Sequence, residues 1–245
     1  MKVLGIIPAR FASSRFPGKP LFDLKGKSMI QRVYEGALKS QKISKLIVAT
    51  DDERIFSAVK AFGGEVAMTS LEHPSGTDRC GEIAKLYPDF DVIINIQGDE
   101  PLVDFRQLDD LINAFEKETV DIATLGIQQI SAEDLNNPNR IKIVINHQNE
   151  ALYFSRSFIP NTFHYKGNAQ KFYPFLRHIG LYAYRRKTLL EIIDLQATKL
   201  EQVESLEQLR WLFYGYKIAV VETTIETPNI DVPEDVENVL NAIKE

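Results

Sequence analysis

The 245 residues contain one cysteine, Cys80. No disulfide can therefore form within the chain, and stability has to come from packing; a lone thiol fits a reducing compartment. No apolar run is long enough to span a bilayer. The N-terminus has no basic stretch followed by a long apolar segment, as a secretory leader requires. The expectation is a cytoplasmic protein with no membrane partner. Excess positive charge is also missing. Lys and Arg total 29 against 34 Asp and Glu, a formal net charge of −5, which argues against gripping a nucleic-acid backbone. Two common phosphate fingerprints are absent: there is no G-x-x-x-x-G-K-[ST], and no G-x-G-x-x-G after a strand. A P-loop ATPase and an ordinary dinucleotide dehydrogenase are thereby excluded. Internal repeats, low-complexity tracts and linkers are lacking as well. A hydrophobic content of 44% with 26% charged residues is that of an ordinary globular protein.

Against the acidic background, one loop is rich in cations. The apolar run Val3–Ile7 stops at Pro8-Ala9 and opens into Arg10, Arg15 and Lys19, separated by small or hydroxylated residues such as Ser13, Ser14 and Gly18. Small side chains let backbone N–H groups approach phosphate oxygens, and the cations neutralise them. The loop also leaves the carboxyl end of a first strand, where open α/β sheets bind ligands. A solvated turn with incidental charges is the weaker alternative.

Apolar runs and helical spacings alternate along the first 120 residues. Strands are predicted at Val3–Ile7, Leu46–Thr50, Val66–Met68 and Val92–Ile96. Helices are predicted at Met29–Leu38 with Ser28 as N-cap, Glu53–Phe62, Asp78–Tyr87 and Leu108–Glu118. Continuous apolar strands between helices indicate an α/β fold: a Rossmann-like, mainly parallel sheet flanked by helices. From about residue 121 strands dominate (Ile122–Ile127, Ile141–Ile145, Ala151–Phe154, Ile179–Tyr184), which suggests a smaller mixed substrate or dimerisation lobe to about residue 220. Residues 158–173 read as a mobile loop. Residues 221–245 return to the core, with a helix over Pro233–Ile243. The whole is expected to be one domain.

Asn95-Ile96-Gln97-Gly98-Asp99-Glu100-Pro101 follows the fourth apolar strand. It presents Asp99 at the same sheet edge as the cationic loop. A carboxylate beside a phosphate site makes physical sense with a metal between them, and Mg²⁺ uses one or two protein carboxylates together with phosphates and water. A turn or cap role is the alternative for Asp99. For Asp231, ahead of a helix, N-capping is at least as good a reading. Ser75-Gly76-Thr77 can read the edge of a base or simply cap the next helix, with Thr77 or Asp78 capping. Arg156, Arg177 and His178 flank strand-like segments and suit a substrate carboxylate, although a His beside an apolar strand is more often structural.

These blocks together resemble the sugar nucleotidyltransferases. The form I-P-A-R-x-x-S-x-R-x-P-G-K-P-L at the N-terminus is similar to that of the 3-deoxy-manno-octulosonate (Kdo) cytidylyltransferases. The likeness continues through Ala49-Thr50-Asp51, His73–Arg79, Gln97–Pro101, Ala151–Arg156, Leu176–Tyr182, Glu207–Arg210 and Asp231–Asp235, in order over nearly the whole chain. The resemblance implies the nucleotide-diphospho-sugar transferase fold and transfer of CMP from CTP to an acidic octulosonate for lipopolysaccharide synthesis. It implies Mg²⁺ on Asp99 and Asp231, and a homodimer. It implies that Pro8, Ala9, Arg10, Arg15, Lys19, Ser75, Gly76, Arg79 and Asp99 meet the nucleotide. Lys19, Asp99, Arg10 and Arg15 would be catalytic. Gln97, Arg156, His178, Tyr182, Glu207 and Gln208 would meet the sugar. Many relatives carry a Trp and then a basic residue after Ile159-Pro160. This chain has Asn161-Thr162-Phe163-His164-Tyr165 there, which leaves open an 8-amino analogue as acceptor, while neutral loop variation reads equally well; a sialate cytidylyltransferase is a separate alternative reading.

Overall fold

The structure, a computed structural model, describes residues 1–12, 16–128 and 131–243. The chain opens with β1 (Val3–Ala9). A hairpin of β2 (Asp23–Leu24) and β3 (Lys27–Ser28) leads into α1 (Met29–Ala37). Strands and helices then alternate through β4 (Lys45–Thr50), α2 (Glu53–Ala61), β5 (Val66–Met68), α3 (Gly76–Leu86), β6 (Val92–Asn95) and α4 (Phe105–Ala114). The second half runs β7 (Ile122–Gln128), α5 (Ala132–Asn136), β8 (Lys142–Ile145), β9 (Ala151–Ser155), α6 (Ala169–Phe172) and β10 (Leu176–Arg185). It continues with α7 (Arg186–Ile192), α8 (Lys199–Glu204), α9 (Gln208–Phe213), β11 (Ile218–Thr223) and α10 (Val236–Ala242).

Among the described residues one sheet has the order β11-β7-β10-β6-β1-β4-β5, and the β8–β9 hairpin joins it through β10. The pairs β6–β1, β1–β4, β4–β5 and β11–β7 are parallel, and β10 runs antiparallel between β6 and β7. The chain moves outward from β1 through β4 to β5, then returns to place β6 on the other side of β1. That reversal leaves a crevice at the carboxyl ends of β1 and β6, where sheets of this kind hold ligands.

The apolar run of β1 is buried on both faces. Val3, Ile7 and Ala9 join a core layer with residues of α1, α2 and α4, whereas Leu4 and Ile6 face a second layer with Cys80, Leu189, Leu209 and Trp211. The period-two alternation therefore serves two cores, and neither face of β1 is left for water.

Helix ends follow local capping chemistry. Ser28 caps α1 by accepting from the Gln31 N–H. α4 begins three residues before the predicted Leu108, because the Asp104 carboxylate accepts from the Arg106 N–H. Ser75, rather than Thr77 or Asp78, caps α3. Pro233–Asp235 forms a 3₁₀ turn, so α10 starts at Val236. The aromatic segment 158–173 contains α6, with Tyr165 and Phe172 rings stacked at 5.2 Å. Helices α5, α7 and α8, of 5, 7 and 6 residues, were not expected. They are too short to show a period in sequence.

Candidate active site

Two glycines bring the loops of the crevice together. A Cβ on Gly98 would lie 2.8 Å from the Pro8 carbonyl oxygen, and one on Gly76 would lie 3.2 Å from Pro8 Cγ. The lack of a side chain at Gly98 is what lets the turn after β6 abut the end of β1 this closely, and at Gly76 it eases the approach of α3. The cationic loop is closed by the Gly18 N–H donating to the Phe11 carbonyl at 2.9 Å. Gly18 has φ +73° and rests on the Phe11 ring, whose face is covered by the Arg54 guanidinium.

Lys19 follows Gly18 and is the junction of three distant segments. Its Nζ donates to Asp99 Oδ2 at 2.8 Å and to the Ile230 carbonyl at 2.8 Å. The Ile230 N–H in turn donates to the Asp99 carbonyl at 3.0 Å. The side chains of Lys19 and Asp99 are 12% and 28% exposed, so the pair is sheltered yet reachable. This latch sets Asp231 next to the turn that carries Asp99. No cluster of three or more His, Cys, Asp or Glu side chains suited to a metal occurs among the described residues. Two aspartates on adjoining backbone segments are nevertheless the donor set Mg²⁺ uses when phosphates and water supply its other ligands. The residues present fit that ion.

Beside the latch lies a cavity of about 240 Å³, lined by Gln97, Asp99, Glu100, Arg140, Arg177, His178, Gly180, Thr227 and Asn229 among others. Gln97 Nε2 donates to the Gly180 carbonyl at 3.0 Å. This contact falls where the β10–β7 register shifts between Ile179 and Tyr182. His178 packs edge-on to Phe154, with ring centroids 5.2 Å apart, and its Nε2 is 3.0 Å from Thr124 Oγ1. Loss of hydration, with the charge of Arg177 adding, pushes its pKa down to about 3, so the ring is neutral at neutral pH. Glu100 is buried, and desolvation together with the neighbouring Asp99 charge raises its carboxyl to about 8, partly opposed by Arg177.

At the other side of Pro8, Ser75 Oγ accepts from the Asp78 N–H at 3.1 Å. Thr77 Oγ1 donates to Glu207 Oε2 at 2.7 Å. Burial raises the Glu207 carboxyl above its ordinary range.

A family model described as cytidylyltransferase matches residues 4–218. The chain belongs to the cytidylyltransferase family. This cytidylyltransferase is 51% identical to the 3-deoxy-manno-octulosonate cytidylyltransferase of Porphyromonas gingivalis, over 98% of the chain and 95% of the relative. It is 47% identical to the enzyme of the same name from Fusobacterium nucleatum, over 100% of the chain and 98% of the relative. Among solved structures, CMP:2-keto-3-deoxy-manno-octonic acid synthetase complexed with CTP superposes with a TM-score of 0.91. It is 43% identical, covering 99% of this chain and 98% of that one. A 4-diphosphocytidyl-2C-methyl-D-erythritol synthase from Anaerococcus prevotii, at 15% identity and a TM-score of 0.65, covers 98% of each chain and shares the fold. The chain is thus a nucleotidyltransferase.

The cytidylyltransferase fold gathers some of the residues singled out in sequence and disperses others. Pro8, Lys19, Ser75, Gly76, Gln97, Asp99 and His178 converge on the crevice through the contacts above. Ala9 is buried beneath it, and Arg10 follows, half-buried. Arg15 lies outside the described residues. Arg79 is fully buried, with Nη2 donating to Asp51 at 2.7 Å and Nη1 bonded to Thr69. Its charge is used inside the protein. Arg156 braces backbone, donating to the carbonyls of Glu204, Ser205 and Pro138. Glu207 meets Thr77 at the start of α3 and does not line the cavity of His178. Tyr182 is buried, edge-on to Trp211, and Gln208 is buried. Glu100, Thr227 and Asn229 line the cavity although sequence reading gave them no role. Glu100 sat inside a block already marked by Asp99, whereas Thr227 and Asn229 carried no signal beyond nearness to Asp231.

Proposed function

We propose that this cytidylyltransferase transfers CMP from CTP to the anomeric hydroxyl of Kdo and releases pyrophosphate, a step toward lipopolysaccharide. The sugar oxygen bonds to the α-phosphorus, the bond from that phosphorus to the bridging oxygen breaks, and the hydroxyl proton is lost. The observation that carries this reading is the latch of Lys19, Asp99 and Ile230, which joins the phosphate loop to Asp99 and to the residue before Asp231, beside a cavity whose lining includes Arg140 and Arg177. Lys19 is assigned to the α-phosphate, with Arg10 and Arg15 supporting the leaving pyrophosphate. Ser75 and Gly76 face the base, and Gln97 and His178 the sugar. Asp99 and Asp231 would hold Mg²⁺, whose charge screens the repulsion between two anionic reactants. In that arrangement Lys19 exchanges its Asp99 partner for a phosphate oxygen, so charge is already balanced in the substrate-free chain.

The test is a pyrophosphate-release assay with CTP and, in turn, Kdo, its 8-amino analogue and a sialate, with and without Mg²⁺. Turnover that is fastest with Kdo and lost without Mg²⁺ or in Asp99→Asn is expected. Full activity in Asp99→Asn would remove the metal assignment, and preference for a different acid would replace the acceptor. The reading includes a cytoplasmic homodimer, which the exposed Phe213, Phe163 and Phe172 side chains favour. Light scattering and cell fractionation test it.

A further inference from the structure

Arg177 is a buried cation without a partner to match its burial. Its side chain is 8% exposed, its Nε is buried with no hydrogen-bond partner, and it lines the cavity beside His178 and Gln97. Among the described residues its one ion pair is from Nη2 to Glu226 Oε1 at 2.6 Å, and the Glu226 side chain is 60% exposed. Buried guanidinium groups are ordinarily satisfied by sheltered carboxylates, often through two parallel bonds. Here a surface side chain reaches in and uses one nitrogen.

Glu226 belongs to the coil between β11 and the Pro233 turn. This coil is tied down on both sides of it. The Ile225 carbonyl accepts from Gln107 Nε2 at 2.9 Å, and Ile230 is held by Lys19 and Asp99. Between the ties, Thr227 and Asn229 form part of the cavity wall, and Thr227 Oγ1 is buried with no partner. A guanidinium nitrogen and a hydroxyl are thus both unsatisfied at one cavity.

We propose that Arg177 anchors the carboxylate of the acid-sugar acceptor and that Glu226 is its internal stand-in, holding the guanidinium until the substrate carboxylate takes its place. The inference rests on the octulosonate reading above. Glu226 is largely exposed, so giving up its pair costs little, because solvated ion pairs are weak. A neutral sugar cannot displace it, whereas an acid sugar can offer two oxygens to the planar fork. Exchange also frees the 226–229 run, which links acceptor binding to the segment leading into Asp231.

The experiment is steady-state kinetics on the full chain with CTP and Kdo. Glu226→Gln removes the competitor and should lower the Kdo KM about two- to fivefold, the range open to a weak exposed pair, with the CTP KM unchanged. Arg177→Lys should raise the Kdo KM at least tenfold. In the double variant the gain from Glu226→Gln should vanish. An unchanged or raised Kdo KM in Glu226→Gln would overturn the proposal, since a pair that merely braces Arg177 gives that result. Arg177 variants are read only where the unfolding temperature shows a folded chain, and Glu226→Gln decides alone otherwise. Wild-type protein that releases no pyrophosphate from CTP and Kdo would instead sink the functional reading itself.

Discussion

Replacing Glu100 by Gln should make the protein more stable, and increasingly so as pH rises. The carboxyl is buried beside Asp99, its Oε2 has no hydrogen-bond partner, and its pKa is raised from 4.5 to about 8. The folded state therefore holds a proton that the unfolded chain releases near pH 4.5. Between those two values the folded state binds more protons than the unfolded one, so stability falls as pH climbs. At 1.36 kcal/mol per pH unit, the full interval corresponds to about 5 kcal/mol, and about 3 kcal/mol of it is already expressed at pH 7. Glutamine has the same shape and cannot ionise. Urea unfolding of wild type and Glu100→Gln should coincide near pH 4.5 and diverge steadily to pH 8, with unchanged m-values. At pH 7 the variant should melt about 6–12 °C higher. Asp99→Asn in the wild-type background removes the second cause of the shift and should narrow the gap. Parallel stability curves from pH 5 to 9 would refute the reasoning, because they would mean that Glu100 titrates as an ordinary carboxyl.

Lys19→Met should reduce kcat about 10²–10³-fold, the cost of losing one charge-stabilising donor, with a smaller effect on the CTP KM; a change confined to KM would make Lys19 a binding residue only. Gly98→Ala sets a Cβ 2.8 Å from the Pro8 carbonyl and should cost about 1–3 kcal/mol in urea unfolding, together with most of the activity, because the Asp99 turn must shift. Wild-type kinetics in that variant would show that the turn tolerates displacement. Arg79→Leu strands the Asp51 carboxylate, 9% exposed, and should destabilise the fold by about 3–5 kcal/mol. A raised CTP KM without loss of stability would instead return Arg79 to the nucleotide site.

Much of the chain was legible from local pattern. Buried parallel strands read as unbroken apolar runs, as in Val92–Ile94, because both faces are covered. The helices with clear spacing lay within a few residues of expectation, and the errors at α3 and α4 came from caps at Ser75 and Asp104, where one side-chain hydrogen bond moves the boundary. The site was legible where chemistry is local: small residues and cations after β1, and Gly98-Asp99 after β6.

Sequence alone determined the strand–helix alternation, the cation-rich loop at a strand end and the family, because each rests on residues close together in the chain or on blocks in fixed order. The tertiary structure decided which charges are free to act. Lys19 meets a carbonyl 211 residues away; Arg79 and Arg156 are consumed by internal partners; and Arg177 is left with a replaceable one. Those outcomes depend on desolvation and on pairing between remote segments. Burial makes an unpaired charge costly, so sheltered cations such as Lys19 and Arg79 are held by remote partners, and no local pattern records which partner that is.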